Sequence, residues 1–177
     1  MRLNADQVKS IKEKKVTYVP NFVPKDKRYD FNFFTELIEM YDIGINCKVN
    51  EAITPKEFLR GTYQIQEMQY KDTNAHVYLD FLRNLFKYPV HEYDGVDLFF
   101  SFASCTGRAH DDPEDVFIIS LYGKTIYRVF QHPTIDTDSD YILNPGDLIH
   151  IPKGKPHKAL SVGGRLIYSV GFFGEKK

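Results

Sequence analysis

The sequence predicts a mainly β protein, folded as a small antiparallel barrel or sandwich with helices flanking it on the N-terminal side. Residues 99–171 consist of short apolar runs separated by glycine, proline and aspartate, a pattern typical of antiparallel strands joined by turns. Residues 1–92 instead contain segments with apolar residues at helical spacing. Hydrophobic residues make up 42% of the chain and include 14 phenylalanines and 12 tyrosines, which is enough for a buried core.

The length of 177 residues predicts a single domain, 1–177, with a helical and strand support region at 1–92 and a β core at 93–174. The formal charge of −1, without a basic block or an acidic tail, argues against nucleic acid as a partner. Cys47 and Cys105 match no zinc spacing, so a reducing, cytoplasmic environment is expected. The start of the chain is too charged for a signal peptide, and no apolar run is long enough for a bilayer, so no membrane partner is expected.

Four helices and one strand are predicted in the first half of the chain. Asn4 or Asp6 can cap the first helix, and lysines occupy its last turn. Pro20 places the strand near an edge or a bend of the sheet. The last helix is amphipathic, with apolar residues that include Val77 and Leu82 separated by charged ones. The predicted ranges are helices at 5–14, 31–40, 54–59 and 74–86, and a strand at 16–23.

The second half reads as strands separated by turns. Gly123 is expected to form a tight hairpin between two apolar strands, and Gly163-Gly164 to form the last hairpin. A polar loop is expected at 131–140. The predicted strands are 96–104, 115–122, 125–130, 148–152 and 165–173, with turns at 144–147 and 153–156.

Three side chains are candidates for a metal site. Residues two apart in an extended chain point to the same face, so His110 and Asp112 can aim at one point while Asp111 points away. His157 follows 45 residues later, which is far enough for several strands to intervene. Two histidines and one carboxylate leave half of an octahedral iron open, as dioxygen chemistry requires. The His-x-Asp pair alone is weak evidence, because it also suits a surface turn.

Other ionisable residues near this site are expected to be ordinary. Asp111, Glu114 and Asp115 are predicted to be solvated at the mouth of the barrel rather than to bind metal. The remaining histidines are predicted to be surface residues or hydrogen-bonded core residues. They are His76, His91, His132 and His150.

A second motif supports the metal site. Gly146, Pro152, Gly154 and His157 have the spacing of the second cupin motif. Together with the preceding His-x-Asp pair and buried strand, they make residues 96–172 resemble the cupin-like JmjC branch of the 2-oxoglutarate and Fe(II)-dependent oxygenases. The resemblance implies a double-stranded β-helix (a cupin or jelly-roll barrel), Fe(II) and 2-oxoglutarate as cofactors, and His110, Asp112 and His157 as the metal ligands.

The position that usually anchors 2-oxoglutarate differs from this family pattern. JmjC-like members usually have a lysine two residues after the hairpin glycine, where this chain has Thr125. If Gly123 lies in a two-residue turn, Thr125 and Tyr127 face the metal and Lys124 points outward, although one bulge would reverse these directions.

Another cation is therefore expected to bind the carboxylate of 2-oxoglutarate that lies far from the metal, because burying a carboxylate without a cation costs free energy. Arg165, eight residues after His157, resembles the arginine that prolyl-hydroxylase-like members use. The hydroxyls of Thr125 and Tyr127 would assist it, and Lys124 is the fallback anchor. The alternative is that Arg165 follows a Gly-Gly turn and is only solvated.

The resemblance implies an oxygenase that hydroxylates an unactivated C–H bond, and relatives with this pattern suggest a protein or peptide side chain as substrate. A small-molecule substrate is the open alternative, and a homodimer is compatible with the sequence. Two other functions stay open: a metal-dependent cupin enzyme that does not use 2-oxoglutarate, and a non-catalytic metal-binding or ligand-binding cupin module.

Overall fold

The structure is a computed structural model, and it describes residues 1–24, 32, 33, 36, 61–104, 107–130 and 138–174. The helices predicted at 31–40 and 54–59, both cysteines and His132 lie outside the described residues, apart from isolated positions of the first helix. The described elements are α1 (Ala5–Lys12), β1 (Thr17–Val19), β2 (Tyr63–Ile65), a 3₁₀ turn (Met68–Tyr70), α2 (Thr73–Phe86), β3 (Gly95–Ser101), β4 (Asp115–Val129), β5 (Ser139–Leu143), β6 (Leu148–Ile151) and β7 (His157–Phe172).

The strands form an antiparallel double-stranded β-helix, which confirms the predicted fold class. Their order is β1-β6-β4-β7-β3-β2, and β5 also pairs with β4. The two longest strands, β4 and β7, pair from Asp115 opposite Phe172 to Val129 opposite His157. One apolar cluster lies between the sheet and the helices. A second cluster fills the barrel beside the predicted metal site and includes Ile118, Tyr127 and Ile167.

The two predicted glycine hairpins are wrong. Gly123 lies inside the continuous strand β4, and Gly163 and Gly164 lie inside β7. Gly123 has φ +72° and Gly163 has φ +88°, conformations that let each strand bend without ending. The strands also approach closely here, because a Cβ added to Gly123 would overlap the carbonyl oxygen of Gly164. The glycines therefore mark bulges in long bent strands rather than chain reversals.

A bulge preserves the side-chain directions that the hairpin was expected to produce. Relative to β7, β4 has one extra residue between Ser120 and Tyr122. One extra residue exchanges the two faces of a strand, so Ile118 and Tyr127 both line the same cavity although they are nine residues apart. Lys124 is exposed, on the opposite face.

Substitution of Gly123 by alanine should reduce stability more than substitution of Gly154. Both glycines have positive φ, +72° and +70°, which costs a side-chain-bearing residue about 1–2 kcal/mol. Only at Gly123 would the new Cβ meet backbone, since no atom lies within 4 Å at Gly154. We expect Gly123→Ala to lower the free energy of unfolding by about 1–3 kcal/mol more than Gly154→Ala does, as measured by urea denaturation. Equal losses would contradict the close approach of the two strands.

The N-terminal elements follow the predicted pattern with two changes. Asn4 caps α1 through a reciprocal pair of hydrogen bonds with Gln7, at 2.8 and 2.9 Å. β1 pairs with β6 at the edge of the sheet, but it is only three residues long. In α2, Val77 is 43% exposed, and the buried face is formed by Ala75, Tyr78, Leu79 and Leu82. No helix in the described part of the chain is long and apolar enough to cross a membrane.

Asp115 is buried rather than solvated at the barrel mouth, which corrects the sequence prediction. Its side chain accepts hydrogen bonds from Lys14, from Tyr88 Oη at 2.8 Å and from the Lys153 amide at 3.1 Å. Burial alone would raise the pKa of Asp115, but these donors outweigh it and hold the pKa below its ordinary value. Asp115 therefore joins α1, α2 and the turn after β6 to the start of β4.

His150 should make the protein less stable as the pH falls from about 6.5 to about 4. The residue is fully buried, and burial lowers its pKa to about 4 although the Lys15 carbonyl opposes this. Between these values the folded state binds fewer protons than the unfolded state, so up to about 3 kcal/mol of unfolding free energy is lost as the pH falls. His150→Gln should have a flatter pH dependence in urea titrations. If the unfolding free energies of the wild type and the variant changed with pH in parallel, this role of His150 would be contradicted.

Candidate metal centre

His110, Asp112 and His157 meet at one point of the barrel. Their candidate ligand atoms all lie within 4.8 Å of one another. Asp112 Oδ1 is 3.7 Å from His110 Nε2, and Asp112 Oδ2 is 3.5 Å from His157 Nε2. The two rings are 4.5 Å apart between centroids. His157 is buried, whereas the His110 side chain is 54% exposed, so the cluster sits at the mouth of the barrel.

Backbone hydrogen bonds hold the three residues together. His110 and His157 exchange two of them, from the His110 amide at 3.0 Å and from the His157 amide at 2.8 Å. The Gly154 amide donates to the Asp112 carbonyl at 2.8 Å. Gly154 has φ +70° in the turn that connects β6 to β7. This turn therefore positions His157 and braces the segment that carries Asp112.

Both histidine rings are oriented for metal binding. His110 Nδ1 lies 3.0 Å from the Arg108 carbonyl, and His157 Nδ1 lies 3.0 Å from the Lys155 carbonyl. A carbonyl can only accept, so Nδ1 carries the hydrogen and the lone pair of Nε2 faces Asp112. Burial also lowers the pKa of His157, which favours the neutral ring that a metal requires.

This donor set fits a divalent transition metal. Two neutral imidazoles and one carboxylate on one side of an ion match the facial arrangement of non-haem iron sites, and they leave the remaining positions open. The open side leads into a cavity of about 350 Å³. A metal held here would thus be accessible to a co-substrate and a substrate within one enclosed space.

The cavity contains a buried cation for which the described residues supply no anionic partner. Arg165 is 4% exposed and lines the cavity, and its Nε and Nη1 atoms have no hydrogen-bond partner among the described residues. A buried charge without a partner is costly, so the arrangement favours an anionic ligand. The strand after the Gly-Gly bulge therefore carries Arg165 into the barrel rather than into solvent.

Two hydroxyl groups accompany the guanidinium on β4. Tyr127 lines the cavity, and burial raises its pKa to about 12, so that it stays a protonated donor. Thr125 is fully buried, and its Oγ1 has no hydrogen-bond partner among the described residues. Thr125 does not itself line the cavity, and Lys124 lies on the exposed face of β4. Of the four residues predicted to contact 2-oxoglutarate, Arg165 and Tyr127 thus reach the cavity directly.

Glu114 was expected to be solvated, but it is half-buried and lines the cavity. Burial, and then the negative charge of Asp112, raises its pKa to about 6. Asp97 was not singled out in the sequence, and it lines the same wall, where it accepts a 2.7 Å hydrogen bond from Gln64. The sequence did contain a signal for Asp97. Residues alternate in burial along β3, and this alternation places Asp97 on the same face as Phe99.

The other described histidines lie outside this cavity, in agreement with the expectation that they are ordinary. His76 Nε2 is 3.1 Å from Asp80 on the surface of α2. His91 stacks on Phe173 with centroids 5.5 Å apart. His150 is buried in β6, opposite Thr17 of the neighbouring strand β1.

Comparison with known proteins finds a family and a set of relatives. The family model described as the JmjC domain matches residues 82–177. The ribosomal protein uL16 3-hydroxylase of Escherichia coli (strain K12) is 34% identical over 93 residues, covering 43% of this chain and 25% of that protein. The chain thus spans about a quarter of the length of this curated relative.

Solved structures share the fold at low sequence identity. Escherichia coli YcfD has a TM-score of 0.74 at 19% identity, over 100% of this chain and 55% of that chain. The same ribosomal oxygenase in complex with cobalt and 2-oxoglutarate has a TM-score of 0.70 at 18% identity, over 99% and 54% of the two chains. A Pseudomonas putida prolyl-4-hydroxylase has a TM-score of 0.71 at 16% identity, over 96% and 98%.

Proposed function

The chain belongs to the JmjC domain family, and from this premise we propose that it is a 2-oxoglutarate- and Fe(II)-dependent oxygenase that hydroxylates an unactivated C–H bond. The observation that carries the proposal is one cavity that holds both a preset His-Asp-His cluster and a buried arginine that has no ion-pair partner in the described part of the chain. The first suits Fe(II), and the second suits a dicarboxylate that must also reach the metal.

His110, Asp112 and His157 would hold Fe(II) through His110 Nε2, His157 Nε2 and one oxygen of Asp112. When bound, Fe(II) and 2-oxoglutarate would supply the activation of dioxygen, one oxygen atom entering succinate as carbon dioxide is lost and the other entering the C–H bond of the substrate. The carbonyls of Arg108 and Lys155 hold the two imidazoles turned so that Nε2 faces the metal position. This preset geometry avoids the entropy cost of assembling the ligands when the metal binds.

Arg165 would bind the far carboxylate of 2-oxoglutarate. Its Nε and Nη1 have no hydrogen-bond partner among the described residues, so the guanidinium has donors available for a carboxylate. Tyr127 would donate a further hydrogen bond from the neighbouring strand. Thr125 would contribute less, because its buried hydroxyl, which has no hydrogen-bond partner among the described residues, does not line the cavity. Lys124 is a weaker candidate, because its side chain is on the other face of the strand.

The apolar wall of the cavity would protect the reaction. Phe99, Ile118 and Ile167 line it together with the metal ligands and Arg165. Side chains of this kind exclude water and hold the substrate C–H bond close to the metal. The chain's own residues thus bind, orient and shield, while the cofactors perform the oxidation.

The substrate is proposed to be a side chain of a protein or peptide. Support comes from the relative named as a ribosomal protein hydroxylase, which is 34% identical over the matched region. The alternative is a small-molecule substrate. A screen of peptides and of small molecules as substrates distinguishes the two. The expectations of a cytoplasmic location and of a homodimer stay predictions.

Succinate formation tests the proposal. Purified protein with Fe(II), ascorbate and 2-oxoglutarate should form succinate slowly without a substrate and faster with one. Calorimetry with Mn(II) in place of iron should show 2-oxoglutarate binding. If the metal binds but neither 2-oxoglutarate affinity nor succinate is found, a cupin enzyme that does not use 2-oxoglutarate, or a binding module, replaces this proposal.

A further inference from the structure

A second cavity lies outside the metal centre, where the end of α1 meets the turn between β6 and β7. Its volume is about 520 Å³, and the described residues that line it are all different from those that line the metal cavity. Four lysines line it: Lys14 and Lys15 from the segment after α1, and Lys153 and Lys155 from the turn. The oxygenase proposal assigns no role to this cavity.

The charge of this lysine cavity is concentrated and only partly balanced. Among the described residues, its lining contains no aspartate or glutamate, although the chain as a whole has a formal charge of −1. Lys14 is paired with Asp115 and Lys15 with Glu13. Lys153 and Lys155 make no ion pair with any of the described residues, and Lys155 is half-buried. Like charges brought together without a counter-ion repel each other, so an anion bound here relieves that repulsion.

The other walls indicate what the anion carries with it. Tyr141, Val16 and Val129 form an apolar side, with Ser139 beside them. A carboxylate brings only one charge to several ammonium groups, whereas a phosphate monoester brings up to two and more acceptor oxygens. The cavity volume falls in the range that holds small organic ligands, and an aromatic wall suits the flat face of a base.

We propose that the lysine cavity is a binding site for a nucleoside phosphate, with the phosphate on Lys153 and Lys155 and the base against Tyr141. The overall charge of the chain gave no sign of such a ligand, because the lysines are spread over two distant segments of the sequence. Free nucleotide and a nucleotide within an RNA strand share this chemistry, and the test separates them.

The site is also coupled to the metal centre through the backbone. In the turn that carries Lys153 and Lys155, the Gly154 amide donates a hydrogen bond to the Asp112 carbonyl. The Lys155 carbonyl accepts one from Nδ1 of His157. The inference does not depend on the oxygenase proposal, since binding is measured without iron or 2-oxoglutarate.

Binding is measured on the full chain by calorimetry at low salt with AMP, inorganic phosphate, a short single-stranded RNA and a glutamate-rich peptide. The double variant Lys153→Gln/Lys155→Gln should weaken AMP or RNA binding by about tenfold or more, and binding should weaken several-fold between 50 and 200 mM salt. Lys9→Gln is the matched control, because Lys9 is an exposed lysine of α1 outside the cavity and should leave binding unchanged.

The outcomes are distinct. Binding of AMP that the double variant loses supports the proposal with free nucleotide as the source, and binding of RNA alone supports it with a strand as the source. The proposal is overturned if no phosphate compound binds, if phosphate binds as tightly as AMP, or if the acidic peptide binds as tightly as the nucleotides. Equal binding by the double variant and the wild type would also overturn it.

Discussion

Asp112→Ala is expected to abolish both metal binding and turnover while leaving the fold intact. Asp112 is the carboxylate of the cluster, and its loss leaves two neutral imidazoles without the charge that neutralises a divalent ion. Changes in the groups that merely support a metal ligand cost about 10–100-fold in metal affinity, so removal of a ligand should cost more than about 100-fold. Co(II) absorption spectra and succinate formation measure the two effects.

Asp111→Ala is the matched control for this experiment. Asp111 is an exposed neighbour of Asp112 and is not part of the cluster, so its loss should leave Co(II) binding unchanged within about threefold. Circular dichroism should show the same thermal unfolding for both variants within a few degrees. Metal binding by Asp112→Ala at the wild-type affinity would remove the proposed centre.

Arg165→Ala should weaken the binding of 2-oxoglutarate without loss of metal binding. Truncation of one partner of a buried charge pair costs about 2–5 kcal/mol, which corresponds to roughly 30-fold to several-thousand-fold in affinity. The cation itself is buried and unpaired among the described residues, so its removal should not destabilise the free protein strongly. In thermal denaturation with Mn(II), 2-oxoglutarate should therefore raise the midpoint of the wild type and not that of the variant.

Lys124→Ala separates the two candidate anchors. Lys124 is exposed, so its loss should leave the 2-oxoglutarate requirement unchanged. Arg165→Lys should restore little binding, because a lysine cannot reproduce the forked contact of a guanidinium. If Lys124→Ala weakens binding and Arg165→Ala does not, the assignment of the anchor is wrong.

The cluster could be predicted from the sequence because two short local motifs together resemble those of the cupin-like family. The alternation of side chains in an extended chain places His110 and Asp112 on one face, and the Gly-Pro-Gly spacing of the turn before His157 is equally local. The structure brings these three residues within ligand distance. Tyr127 also faces the cavity as predicted, but for a different reason, since a bulge rather than a hairpin turns it inward, whereas Thr125 is buried without lining the cavity.

Glu114 and Asp115 could not be placed from the sequence alone. Both follow Pro113 in a charged run that suits a solvated loop. Asp115 is instead covered by Lys14 and Tyr88, which are distant in the chain, and Glu114 is turned into the cavity. Their burial depends on which other segments pack over the start of β4, and no local pattern encodes that.

What the sequence determined by itself was the mainly β architecture, because strand alternation and turn residues act over a few neighbouring positions. It also singled out the three residues of the candidate metal cluster, through the resemblance of two short motifs to the cupin-like family. The tertiary structure alone decided that β4 and β7 continue through their glycines. It also decided that Arg165 is buried without an ion-pair partner among the described residues, and that four lysines from two segments share a cavity. These features arise where distant segments meet, and their energies depend on the burial and the neighbouring charges that the folded chain creates.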